Sequence, residues 1–291
     1  MNNIESIFEK NKPNISKSSI KTYTSIIRSV CKKTGLNVDE LSSNVDKIVD
    51  TYKDLKQSSR KTIYATLYVY TENKKFQTLM VDDSNASSIT ASKHEKTEAQ
   101  EASWINKEQI ETIYNEHKQQ ANLCYKKGTL TMADLQTIQQ YIIICLLGGI
   151  FIAPRRLLDY TEFKIKNIDK SADNYLDKSN LIFNAYKTKK YYNQQSVECP
   201  KELKTILTKW IKNNPNDYLL FDANGNKLTS VKLNQRLVKV FGNKTSVNIM
   251  RHVYLTDKFG DEIERQKKMD KVASDMGTSS SQVVGTYIKK E

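Results

Sequence analysis

The chain is poor in the residues that build disulfide, metal and membrane architectures. Four cysteines, Cys31, Cys124, Cys145 and Cys199, stand far apart in 291 residues and follow no CxxC or Cys/His spacing. The three histidines, His94, His117 and His252, do not cluster. Together these argue against a disulfide scaffold and a structural zinc site, and they predict reduced, buried thiols. No apolar run reaches bilayer length. The longest, residues 141–154, contains Gly148-Gly149 and is too short to span. The first residues, MNNIESIFEKNK, lack the basic-then-apolar layout of a signal peptide, which predicts a cytoplasmic or nuclear protein without a membrane partner.

Acidic residues are outnumbered. The formal net charge is +13, and 27% of residues are charged against 38% hydrophobic, the balance of a globular protein with a polar surface. Residues 1–102 carry 16 basic and 13 acidic side chains, whereas the rest carries 30 and 20. The excess therefore sits mainly in the C-terminal two thirds. Such a surface suits a polyanion, because each neutralised phosphate releases counterions. A coding bias toward Asn, Lys, Ile and Tyr gives the same lysine count, so charge alone leaves both readings open.

Periodicity predicts a mainly α protein with one small antiparallel sheet, in two domains. Residues 1–80 read as a small helical domain. Ser18 or Ser19 caps a helix carrying Ile20, Tyr23, Ile26, Ile27 and Val30, and Gly35 ends it. A second periodic run covers 38–55, and a third starts at Ser58-Ser59. Lys17, Lys21, Arg60 and Lys61 lie beside hydroxyls at helix starts, an arrangement that serves either phosphate contact or plain capping. Residues 81–102 are polar and read as a linker. Residues 103–291 form the second domain, with a helix capped by Asn106 and another over 132–147 whose second half is apolar enough to be deeply buried. The period then changes. Residues 181–183 and 196–199 flank a basic stretch, 187–195, as a hairpin or three-stranded sheet; residues 219–221 read as a short strand before the turn Asn224-Gly225, and all from Thr229 onward reads as helix.

Within this domain lie Arg155-Arg156 after the buried helix, lysines in the hairpin, Arg251-His252 in a helical run, Met276-Gly277-Thr278-Ser279-Ser280 at a turn, and Tyr287. Strand transfer on DNA needs such parts. Arginine neutralises non-bridging oxygens with a planar fork that never loses its charge. Donors aimed at the developing pentacoordinate charge supply the largest catalytic term. Tyrosine attacks phosphorus when nearby cations favour its phenolate, and a lysine protonates the leaving oxygen. Each piece also has an ordinary reading: surface ion pairs for the arginines, solvation for the lysine, packing for one tyrosine among sixteen.

In order and spacing the set resembles the tyrosine recombinases, the phage-integrase family. Arg156, with Asp159 three residues on, matches the first arginine of that family, and Arg155 is the neighbour in reserve. Lys187 matches the hairpin lysine, with Lys189 as the substitute. Asn248-Ile249-Met250-Arg251-His252 matches the His-x-x-Arg helix, and Tyr287 falls nine residues past Thr278, the spacing of the nucleophile. The resemblance covers residues 103–291 by motif and nearly all the chain by layout. It implies double-stranded DNA as partner, a 3′-phosphotyrosyl intermediate, no metal or cofactor, and a homotetramer on DNA from a monomer or dimer in free solution. It also implies a role in DNA recombination or integration and a source in a mobile element or virus. Only four residues follow Tyr287, too few to pass a helix to a neighbouring subunit.

Two positions depart from the family. Asn248 and Thr278 stand where histidine, or histidine or tryptophan, is usual; both donate hydrogen bonds, and neither titrates near neutrality. Proton transfer would then fall to Lys187, to His252 rotated inward, or to the phosphate. Two alternatives follow: a catalytically impaired DNA-binding accessory protein, and a type IB topoisomerase-like relaxing enzyme.

Overall fold

The structure, a computed structural model, describes residues 4–242 and 245–289. The chain divides into two compact units, Met1–Glu95 and Lys96–Glu291. Among the described residues no helix is long and apolar enough to cross a membrane.

The N-terminal unit is all helix: α1 Ile4–Asn11, α2 Lys17–Thr34, α3 Val45–Tyr52, α4 Gln57–Thr71 and α5 Lys74–Ser92. Phe8, Ile27, Ile48, Leu67 and Phe76 are fully buried between them. The cap of α2 is Ser16, whose hydroxyl accepts from the Ser19 amide at 3.1 Å, rather than Ser18 or Ser19. Gly35 ends α2 at φ 70°, in the left-handed region where glycine is the cheapest residue. The periodic run over 38–55 resolves into a 3-10 turn, Val38–Glu40, and α3.

The stretch expected as a linker, residues 81–102, contains the boundary between the two units and is largely helical. Residues 81–92 continue α5, and a further turn, α6 Glu98–Glu101, follows. What holds this polar stretch in a helix is an ion pair rather than apolar area. Asp83 is buried on α5 and accepts from Arg60 of α4 at 2.5 and 3.1 Å. The neighbouring Lys61 donates to Ser84 at 2.9 Å. Arg60 and Lys61 are therefore occupied within the unit and do not stand free at a helix start.

The C-terminal unit begins with α7 Lys107–Tyr125, which Asn106 caps in a reciprocal box with Gln109, and α8 Met132–Leu147. Every residue from Tyr141 to Leu147 is buried, which makes α8 the axis of the core. Then come α9 Leu157–Thr161, strands β1 Tyr175–Asp177, β2 Asn180–Phe183 and β3 Gln195–Glu198, and a single turn, α10 Lys189–Tyr192, between the last two strands. The sheet is antiparallel in the order β1-β2-β3, with Phe183 opposite Gln195. Residues 219–221 form no strand. Isolated bridges, Lys164–Tyr218 just before them and Phe221–Lys227 at their end, hold them instead, with Leu219 bonded to Phe163 and Asp222 turned back to Asn226.

Helices α11 Lys201–Asn213, α12 Ser230–Phe241, α13 Val247–Asp275 and α14 Ser280–Gln282 complete the fold, with a π-helical turn, Val283–Tyr287, after α14. All four cysteines are free. Burial pushes the Cys145 thiol up to about 12 and the Cys199 thiol up to about 11.

Candidate active site

The site starts where α8 ends. Gly149 has φ 75°, and a Cβ there would lie 2.9 Å from Cδ2 of Tyr254 on α13. Only glycine fits both the conformation and this approach. The close contact seats the loop 148–156 against the first turns of α13, one turn past Arg251.

The two adjacent arginines are sorted by their partners. Arg155 donates from Nε to Oδ2 of Asp159 at 2.7 Å and from Nη2 to Oε1 of Gln195 at 2.8 Å, and it lies over the Phe183 ring at 3.9 Å. It rivets α9 to the two strands of the hairpin. Arg156, the capping residue of α9, is half-buried and has no hydrogen-bond or ion-pair partner among the described residues. Arg251 on α13 is likewise half-buried and unpaired.

Asp159 is the common centre. Burial pushes its carboxyl above the usual value, and the positive fields of Arg155, Arg156 and Arg251 oppose that shift. Its Oδ1 is buried with no hydrogen-bond partner. Arg155 is bonded to this carboxylate, and Arg156 and Arg251 lie near enough for their charges to act on it. Only Arg155 is consumed by it. The other two guanidiniums can accept an external anion in the bidentate geometry that suits phosphate.

The hairpin base is fixed by Asn174, which donates to the carbonyls of Asp159 and Ala185 at 2.7 and 2.8 Å and accepts from the amides of Asn184 and Ala185 at 2.7 Å. Lys187 follows directly, exposed and without a partner among the described residues, as is Lys189. Asn174, Gln195 and Gly149 are positioning residues that sequence reading missed. The glycine pair ending an apolar run is a readable signal for the last; nothing local marks Asn174, whose four bonds all reach at least ten residues away.

Asn248 is exposed in the first turn of α13, on the face of Arg251 by its three-residue spacing. His252 is exposed and lies one position further around the helix. Thr278 and Tyr287 are elsewhere. Helix α13 runs unbroken for 29 residues, and beyond Val253 only Ala273 on it is buried. The chain turns at Gly277 (φ 66°) and folds back on the far end: Thr278 N–H donates to the Ala273 carbonyl at 2.9 Å, and the Ser280 hydroxyl donates to Asp270. Asp270 lies nineteen residues, roughly 28 Å, along the axis from Arg251. Tyr287, 60% exposed, stays at that end without touching the arginines, and Thr278 donates its hydroxyl to Gln282 at 2.5 Å.

Comparison with solved structures shows a fold like that of lambda integrase. The chain is similar to lambda integrase residues 75–356 in a dimer bound to a COC′ core site, with a TM-score of 0.51 and 14% identity over 89% of this chain and 92% of that one. A second structure of a lambda integrase dimer on a COC′ core site gives a TM-score of 0.50 and 14% identity, over 89% of this chain and 72% of that one. No protein-family model matches the chain, and no curated protein matches it by sequence.

Proposed function

We propose that the protein binds double-stranded DNA and cleaves and rejoins its strands through a 3′-phosphotyrosyl intermediate. The observation that carries this reading is the pair of half-buried, unpaired guanidiniums, Arg156 and Arg251, held beside the buried Asp159. Two arginines whose side chains carry no internal partner, beside a carboxylate that a third arginine already bonds through one oxygen, suit one phosphodiester.

In this reading the Tyr287 phenol gives up its proton to water, its oxygen attacks phosphorus, the bond to the 5′-oxygen breaks, and Lys187 gives that oxygen a proton. Lys189 is the substitute donor. Arg156 and Arg251 hold the non-bridging oxygens, and Asn248 adds a hydrogen bond from the face it shares with Arg251. The Thr278 hydroxyl adds another once released from Gln282, and His252 serves only if turned inward. The 5′-hydroxyl of a partner strand then attacks the tyrosyl ester and returns the proton. The ester conserves bond energy, so the cycle needs no nucleotide. On DNA the protein assembles as a homotetramer from a monomer or dimer, in recombination or integration within the compartment that holds the DNA; a mobile element or virus is the source proposed for it.

Chemistry in this form requires α13 to yield, since as an unbroken rod it keeps Tyr287 at the wrong end. That separation, with Asn248 and Thr278, favours a second reading: a protein that binds DNA without cutting it. A nicked suicide duplex separates the two. Strand transfer predicts a denaturation-resistant protein–DNA adduct, lost in Tyr287→Phe and reduced roughly 100-fold or more in Arg156→Ala or Arg251→Ala. Duplex binding with no adduct from the wild type would establish the accessory protein instead.

A further inference from the structure

The loop 184–194 between β2 and β3 carries a feature that the cleavage chemistry does not use. Its base is rigid. Asn184 donates to the carbonyls of Lys170 and Asp173 at 3.0 and 2.9 Å, Gln194 donates to Asn184 at 3.0 Å, and the buried Tyr186 donates its hydroxyl to the Asn193 carbonyl at 2.6 Å. The tip is a single helical turn, closed by the Tyr191 amide on the Thr188 carbonyl at 3.0 Å and the Asn193 amide on the Lys189 carbonyl at 2.8 Å. Tyr186 anchors the loop; Tyr191 and Tyr192 do not. Tyr191 is 74% exposed, more than any other large apolar side chain among the described residues, and Tyr192 is 64% exposed.

Two adjacent aromatic rings held in water on a rigid turn forgo the roughly 2 kcal/mol each that burial supplies. Around them are Lys187, Lys189 and Lys190, all exposed, with no ion-pair partner among the described residues. The Lys190 ammonium lies 6.0 Å from the Tyr191 ring centre. No acidic residue occurs between Asp177 and Glu198. The matching ligand is anionic and presents flat π faces. An intact duplex offers phosphates to the lysines but hides its base faces, whereas a nick, gap or bubble offers both.

We propose that Tyr191 and Tyr192 stack on unpaired bases beside the phosphate held at Arg156, so that this loop reads strand opening while the lysines supply duplex affinity. The connection between the loop and Arg156 is short: Arg155, its chain neighbour, hydrogen-bonds to Gln195 and lies over the ring of Phe183, the two strand residues that flank the loop. The inference rests on the reading that this face of the C-terminal unit meets DNA.

The test uses the full chain as Tyr287→Phe, which removes cleavage from the measurement. Binding is followed by anisotropy on an intact duplex and on the same duplex with a short central bubble, with 2-aminopurine in the bubble to report stacking. The expected result is a bubble preference of roughly tenfold or more and quenching of the 2-aminopurine, both lost in Tyr191→Ala/Tyr192→Ala and kept in Tyr191→Phe/Tyr192→Phe, with duplex affinity unchanged. Equal loss of duplex and bubble binding in the alanine variant, or a bubble preference that survives it, overturns the stacking role and leaves strand transfer standing. If the alanine pair instead changes only the sedimentation of the free protein, the rings serve a protein contact and the proposal fails. Absence of any DNA binding at low salt removes the reading beneath it as well.

Discussion

Arg155 and Arg156 are neighbours in sequence with opposite assignments in space. Sequence ranked them by motif position alone; the structure ranks them by what each already touches. Arg155 bonds one oxygen of the buried Asp159 carboxylate, so Arg155→Ala strands that group and should cost about 3 kcal/mol of stability, visible in urea unfolding. Arg156→Ala removes no hydrogen-bonded side-chain partner and should lower the unfolding midpoint far less than Arg155→Ala while reducing adduct formation roughly 100-fold or more. Equal destabilisation by both would mean that Arg156 is part of the scaffold and not of the site. Asp159 was legible as an acidic position, but its role as the hub of three arginines was not, because Arg251 reaches it only through tertiary packing. A second carboxylate gives a pH signature. Asp134 in α8 accepts from Lys127 at 2.5 Å and from Thr131 at 2.7 Å, and these bonds hold it well below the usual carboxylate range. Its folded value is depressed, so its contribution is complete above the unfolded value near pH ~4 and fades as pH falls through the folded one. The stability gap between wild type and Asp134→Asn, from urea curves at pH 7 and pH 3, should therefore narrow at the lower pH.

At the scale of elements, helices with strong apolar period and clear caps were readable. Residues 132–147 and the Asn106 cap are instances, since caps and buried faces are written locally. Two elements were not. The α5 extension is polar and depends on Arg60 from another helix, so composition made it a linker. The continuity of α13 depends on there being no breaker: Ser246 caps it, no proline interrupts it, and Gly260 is its only glycine. A Cβ at Gly260 would meet nothing nearer than Thr256 Cγ2 at 3.8 Å, so alanine fits there. Gly260→Ala should stabilise the straight helix by about 1 kcal/mol. If Tyr287 must leave that geometry to react, adduct formation should slow as the melting temperature rises. Adduct formation that speeds up in step with stability would mean the helix acts unbroken.

For the whole molecule, charge and fold class were the most legible properties, because both are sums over many residues and tolerate local errors. The surplus of +13 makes DNA affinity a salt-dependent quantity. The logarithm of the binding constant should fall linearly with the logarithm of salt, and each of Lys187→Gln and Lys190→Gln should lower the slope by about 1 if the side chain meets a phosphate. An unchanged slope in both would place the hairpin off the DNA.

The long α13 also has a mechanical meaning. It is rooted in the core by Val247, Ile249, Met250 and Val253, all within its first two turns, and the rest is an arm of roughly 33 Å. A bend of about 20° near Gly260 would carry the tip through roughly 8 Å at the helical rise. Flexing one helix would thus reset where the C-terminal tip lies without disturbing any side chain of the packed core.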